Sequence, residues 1–207
     1  MSPRVKICGI TRREDAELAV RLGAHALGFV LWERSARRIG LREVAAIADG
    51  LPAFVSRVGV VVNMPPAEAA EALRAARLDA LQLHGDEIVS DYTSVAGRLI
   101  KAVVLETDDD VARAIDLPAA ITVLVDAVDR DKRGGTGRRA DWPRAAQLAQ
   151  SRPVILAGGL TPENVGDAIE CVRPFAVDVS SGVEDAPGIK SRRRMETLFE
   201  AIGRIKA

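Results

Sequence analysis

The sequence predicts an α/β chain closed into a (β/α)8 barrel, and three observations carry that reading. Eight short apolar runs alternate with helix-like stretches along the chain. The runs are almost continuously apolar, as strands are when a parallel sheet is covered on both faces. Polar residues or glycines mark nearly every run's carboxyl end, whereas an open doubly wound sheet would more often show fewer strands and one dominant Gly-rich turn.

The first run, residues 5–8, ends at Gly9, and a helical stretch over 12–22 is closed by Gly23. A second run at 26–31 leads to a helix over 41–49, and a third at 57–62 to a helix over 66–77. The fourth, 80–83, precedes a helix near 87–95, and the fifth, 99–104, a weaker one over 109–115. The sixth, 122–126, is followed by a Gly-rich loop and a helix over 142–150. The seventh, 154–157, meets Thr161-Pro162-Glu163, a helix start with proline at its first position, and that helix runs to Cys171. The eighth, 175–180, precedes a closing helix over 192–205. With no linker, low-complexity tract or shift in composition, residues 1–207 read as a single barrel domain.

Composition narrows the function classes. Lysine plus arginine equals aspartate plus glutamate at 29 each, so nothing points to nucleic acid or an anionic membrane as a partner. Basic residues cluster at 34–38 and 192–194 without interleaved aromatics, which suits a solvated face or a small-anion site. No apolar stretch approaches a membrane span, and the first strand begins too early for a signal peptide. Two isolated cysteines make no disulfide framework, so the expected compartment is the reduced cytoplasm. Oligomeric state is left open.

In a barrel the ligand sits at the carboxyl ends of the strands. Those ends carry Cys8, Asn63, Gln82 with His84, Asp126, Gly158-Gly159, and Asp178 with Ser180-Ser181-Gly182. The two glycine-containing loops after strands seven and eight are where barrels bind phosphate: glycine permits close backbone approach, and serine hydroxyls donate. Cys8 and Asp126 would face one another across the mouth, as thiolate base and carboxylic acid able to shuttle protons on a phosphate-anchored sugar. A lone cysteine also fills space well. Lys6, two residues before Cys8, is read as a buried ion-pair partner of Asp178 rather than a catalyst. His84 is read equally as a loop-orienting or a ligand-contacting residue, His25 as surface and Cys171 as core. Two histidines and two scattered cysteines offer no metal-ligand spacing, and no nucleotide fingerprint is present, so neither metal nor cofactor is expected.

Taken together, Lys6-Ile7-Cys8-Gly9-Ile10-Thr11, Gln82-Leu83-His84-Gly85, Gly134-Gly135-Thr136-Gly137 with Asp141-Trp142, residues 158–165 and residues 178–184 resemble the phosphoribosylanthranilate isomerase family along the whole chain. The resemblance implies a cofactor- and metal-independent barrel enzyme of tryptophan biosynthesis. It would convert N-(5-phosphoribosyl)anthranilate to the 1-deoxyribulose 5-phosphate product by an Amadori rearrangement. It implies Cys8 as general base, Asp126 as general acid, and Arg37 as the group that holds the anthranilate carboxylate. The family commonly has an aromatic where this chain has Arg38, so Arg37 and Arg38 both stand as candidates for that contact. It also favours an aromatic where Ala140 stands and often Lys-Asp where Lys190-Ser191 stands. His84, Gly158, Gly159, Asp178, Ser180, Ser181 and Gly182 complete the expected binding set, and residues 131–139 are read as a lid. Two other readings are a related histidine-pathway isomerase, which uses aspartate at the place of Cys8, and a silent barrel that only binds phosphosugars.

Overall fold

The computed structural model describes residues 2–127 and 139–205. The Gly-rich stretch 134–137 and all but the last residue of the expected lid lie outside the described residues. Eight parallel strands close in sequence order: β1 (Arg4–Cys8), β2 (Ala26–Val30), β3 (Ser56–Val61), β4 (Ala80–Leu83), β5 (Leu99–Val104), β6 (Thr122–Asp126), β7 (Val154–Leu156) and β8 (Ala176–Val179). Closure is made where Lys6 on β1 lies in register with Ala26 on one side and Asp178 on the other. The helices are α1 (Arg13–Leu22), α2 (Leu41–Ala48), α3 (Pro66–Ala75), α4 (Asp108–Ile115), α5 (Trp142–Ala149), α6 (Val165–Val172) and α7 (Arg192–Gly203).

Strand parity divides the core. Side chains of one parity, among them Ile7, Leu27, Phe29, Leu81, Leu83 and Val125, lie fully buried in the large cluster that includes the apolar stripes of the helices. Those of the other parity point inward, where Val58, Ile100, Leu124, Ile155, Ala157 and Ala176 form a separate apolar plug. Fully burying each of the larger ones, Val58, Ile100, Leu124 and Ile155, contributes about 1.5–3 kcal/mol. The plug leaves the upper part of the barrel to Lys6, Cys8, Gln82, Asp126 and Asp178, which share its parity.

The strand and helix order follows the expected one, and Gly23 closes α1 with its own N–H and that of Ala24 bonded to Val20 and Ala19. Three local readings are corrected. The helix expected near 87–95 is a run of 3₁₀ turns over Val89–Arg98, broken at Tyr92 and Val95. Its valines, serines, threonine and aspartate are poor helix formers, and Tyr92 is held instead by its hydroxyl donating to the Met64 carbonyl. The helix expected from Thr161 begins only at Val165, because the Asn164 side chain ties the preceding turn by accepting from the Thr161 N–H at 2.9 Å. After β8 comes an unexpected antiparallel pair, β9 (Glu184–Ala186) and β10 (Ile189–Lys190). No helix among the described residues is long and apolar enough to cross a membrane.

Candidate active site

One pocket opens at the carboxyl ends of the strands. Cys8, Arg37, His84, Asp126, Gly158, Gly159, Asp178, Ser180 and Ser181 all line it, as do Val30, Trp32, Val60 and Gln82. Of the expected binding set only Gly182 is not in the lining. It packs behind, where a Cβ would stand 1.9 Å from the Leu160 carbonyl oxygen. Arg37 and Arg38 separate clearly: Arg37 lines the pocket, whereas Arg38 is exposed and lies 3.7 Å from Glu33. Asn63 leaves the site altogether and clamps the neighbouring loop, its Oδ1 accepting from the Asp86 N–H.

A buried polar chain crosses beneath the pocket. Lys6 Nζ donates to Asp178 Oδ2 at 2.8 Å, the ion pair expected from strand adjacency, and to Gln82 Oε1 at 3.0 Å. Gln82 Nε2 lies 2.8 Å from His84 Nδ1, and His84 Nε2 lies 3.1 Å from Asp126 Oδ2. Asp126 Oδ1 accepts from the Ala127 N–H at 2.7 Å. Isolated charges at such depth are costly, so Lys6 and Asp178 stabilise one another chiefly by removing each other's penalty. Asp178 Oδ1 remains buried with no hydrogen-bond partner among the described residues.

Cys8 stands where β1 meets that chain. Gly28 on β2 makes the room: a Cβ there would come within 2.6 Å of Cys8 Sγ and 3.0 Å of Lys6 Nζ. Burial pushes the Cys8 thiol above its ordinary range, the charges of Lys6 and Lys190 pull it down, and burial prevails. Burial lowers Lys6, but the charge of Asp178 and its hydrogen bond outweigh this and raise the ammonium above its ordinary range.

Arg37 reaches the pocket from the segment after β2. Its stem crosses Gly9, whose φ of +75° and bare Cα leave space where a Cβ would lie 2.7 Å from Arg37 Cδ. Arg37 Nε and Nη2 donate to Glu184, the closest contact being 2.7 Å. Glu184 also accepts from Lys190 Nζ at 2.8 Å, and Lys190 donates to the Cys8 and Ser180 carbonyls. One buried lysine thus ties together the ends of β1 and β8. Burial lowers Lys190 below the usual lysine range, against the pull of Glu184.

The two glycine loops complete the pocket lining. Gly158 has φ +78°, and a Cβ there would stand 2.6 Å from the Ala127 backbone nitrogen, so the loop after β7 runs hard against the end of β6. Asn164 Nδ2 donates to the Gly159 carbonyl at 2.9 Å and braces that loop. Arg194 Nε donates to the Gly182 carbonyl at 2.9 Å and braces the loop after β8.

Sequence reading missed Trp32, Glu184 and Lys190, and named Gln82 without a partner. Gln82 and Trp32 carried a signal: Gln82 is the polar residue inside the apolar β4 and Trp32 follows β2, each with the parity of the pocket wall. Glu184 ends one segment that carries the resemblance and Lys190 stands just beyond it, but neither was given a role, since their pairing belongs to the unforeseen β9–β10 pair. His25 is exposed, as expected, and its Nδ1 accepts from the Val5 N–H at 3.2 Å. Cys171, expected in the core, is exposed: α6 buries Val165, Ala168, Ile169 and Val172, and Cys171 falls off that stripe.

A sequence profile described as N-(5'phosphoribosyl)anthranilate (PRA) isomerase matches residues 5–201. The chain is 46% identical over 200 residues to an N-(5'-phosphoribosyl)anthranilate isomerase of Pseudomonas fluorescens, covering 96% of this chain and 98% of the relative. A crystal structure of the Thermus thermophilus phosphoribosyl anthranilate isomerase superposes with a TM-score of 0.89 at 42% identity, covering 98% of this chain and 100% of that one. Another, in complex with reduced 1-(o-carboxyphenylamino)-1-deoxyribulose 5-phosphate, gives 0.86 at 39% identity and covers 97% and 98%. With the profile spanning nearly the whole barrel, this chain belongs to the N-(5'-phosphoribosyl)anthranilate isomerase family.

Proposed function

We infer that this chain isomerises N-(5'-phosphoribosyl)anthranilate within tryptophan biosynthesis, with Cys8 as base and Asp126 as acid. The observation that carries the assignment of roles is that a thiol and a carboxyl, contributed by β1 and β6, line one pocket with the two glycine loops. The parts of the ligand in the related complex, a carboxyphenyl group, an opened sugar and a phosphate, match three parts of this pocket in kind. The loops around Gly158, Gly159, Ser180 and Ser181 would take the phosphate through backbone N–H groups and hydroxyls. Glu184 occupies the Nε–Nη2 edge of Arg37, which leaves Nη1 and the outer side of Nη2 for the anthranilate carboxylate. Trp32 would face the aromatic ring, and Asp178 Oδ1 would accept from a sugar hydroxyl.

The chemistry then follows in order. Asp126 gives a proton to the furanose ring oxygen, the C1–O bond breaks, and the amine lone pair closes a C1=N iminium. That positive charge acidifies the C2 proton and lowers the cost of forming a thiolate beside it. Cys8 takes the proton, and the C–H electron pair neutralises the iminium to an enolamine. Protonation at C1 and loss of the C2 hydroxyl proton give the ketone. The route needs no metal or other cofactor. The histidine-pathway reading wants aspartate where Cys8 stands, and no observation favours it. The pair of unbridged cysteines supports a cytoplasmic enzyme, and the closure of all eight strands into one barrel supports a single domain over residues 1–207. Mixing the protein with freshly formed phosphoribosylanthranilate and following loss of anthranilate fluorescence tests the activity. Fluorescence falling no faster than without protein would overturn it.

A further inference from the structure

The chain beneath the pocket contains its own directional logic. An ammonium only donates, so the Gln82 atom facing Lys6 Nζ at 3.0 Å must be the amide oxygen. That fixes the Gln82 amide, which is buried and cannot turn without leaving Lys6 unpaired there. Its NH2 group then faces His84 Nδ1 at 2.8 Å, and an NH2 group also only donates. Nδ1 must accept, which leaves the ring proton on Nε2, 3.1 Å from Asp126 Oδ2. Lys6 is itself anchored by Asp178, so the sequence of constraints begins on β8 and ends on β6.

We propose that Gln82 is a positioning residue: held by Lys6, it fixes His84 in the Nε2–H tautomer and thereby aims an N–H at Asp126. This rests on the reading of Asp126 as the acid. The His84 Nε2–H and the Ala127 N–H each occupy one lone pair of the Asp126 carboxyl, so the carboxyl plane is fixed and the transferable proton is confined to the remaining positions. Both N–H groups bond more strongly to a carboxylate than to the acid. They therefore strengthen as the proton leaves for the sugar ring oxygen, which is where negative charge develops in that step. With the ring proton on Nδ1 instead, a lone pair would face Asp126 and oppose that charge.

The test combines a spectrum with kinetics. Nitrogen-15 histidine spectra of the unliganded enzyme at neutral pH, with His25→Gln removing the other ring, should show a pyrrole-type Nε2 and a pyridine-type Nδ1 for His84. In Gln82→Glu the new carboxylate accepts from Nδ1, so both nitrogens should become pyrrole-type. Gln82→Met keeps the bulk and loses the donor. Both variants should lower kcat about tenfold to a hundredfold, with KM changed less than about threefold, less than the roughly 10²- to 10⁴-fold of losing the proton-transfer group itself, because Gln82 acts through His84. A wild-type ring protonated at Nδ1, alone or together with Nε2, would overturn the proposal. So would kcat within twofold of wild type in both variants. Wild-type enzyme lacking isomerase activity would instead remove the acid–base reading while the ring spectrum still judged the tautomer.

Discussion

Arg37 and Glu184 meet edge to edge, with Nε 3.0 Å from one carboxylate oxygen and Nη2 2.7 Å from the other, across 147 residues of sequence. Both side chains are largely buried, at 14% and 4% exposed, so the guanidinium is held in one orientation before any ligand arrives. Preorganisation of this kind acts on binding more than on chemistry.

Arg37→Ala should therefore raise KM by roughly tenfold to a hundredfold, the equivalent of about 1.5–3 kcal/mol for a hydrogen bond to a charged group, with a smaller change in kcat. Glu184→Gln should move KM in the same direction by less, because the guanidinium keeps its donors and loses its brace. Steady-state kinetics decide it. A fall in kcat at unchanged KM in both variants would place Arg37 in the chemistry instead.

Glu184 also sets an acid-stability limb. Burial pushes its carboxyl up, but the hydrogen bonds from Arg37 and Lys190 and the charges of both outweigh this and hold it below its ordinary 4.5. A group depressed on folding contributes stability that is present above the unfolded value and lost as pH falls through the folded one. Urea midpoints should thus drop as pH is lowered below about 4.5, and Glu184→Gln should show a shallower loss across that interval. Equal losses in the two proteins would remove Glu184 as a contributor.

The two cysteines differ in reach. Burial holds Cys8 above the ordinary thiol range, whereas Cys171 lies on the exposed face of α6. Only thiolate reacts, so limited iodoacetamide at neutral pH should label Cys171 first, as read by peptide mass spectrometry. Preferential labelling of Cys8 would mean that its cations overcome burial.

Eight strands and their order were legible because each carries a continuous apolar run and a polar end, and that pattern also exposed Cys8, Asp126 and the glycine loops. The missed features share a physical reason. Glu184 and Lys190 lie in a short polar segment whose pairing follows from the ends of β1 and β8 and from Arg37, not from local periodicity. Cys171 turned on the phase of one short helix, where one residue's rotation separates core from solvent. Lys6 was readable as a partner of Asp178 since adjacent strands bring them together, while its second bond, to Gln82 on β4, crosses the barrel.

Gly28 is a steric requirement of the site. In Gly28→Ala the new methyl would lie 2.6 Å from Cys8 Sγ and 3.1 Å from Cys8 Cα, so strand and thiol must both shift. The substitution should cost about 1–3 kcal/mol, as overpacking does. It should also lower kcat. A variant with unchanged melting temperature and unchanged kcat would show that Cys8 has slack the structure does not give it.

The most direct measurement is kcat of Cys8→Ser and Asp126→Asn in the anthranilate-fluorescence assay, with circular dichroism and melting curves to verify the fold. Serine nearly keeps the size of the base without an accessible anion, and asparagine keeps the carboxyl's shape without an acidic proton. Each should cost about 10²- to 10⁴-fold in kcat. The bell-shaped pH profile of kcat/KM should lose one limb in each variant, its limbs belonging to the pair rather than to either residue. Either variant, folded as wild type, retaining full turnover with the wild-type pH profile would contradict the assignment of base and acid.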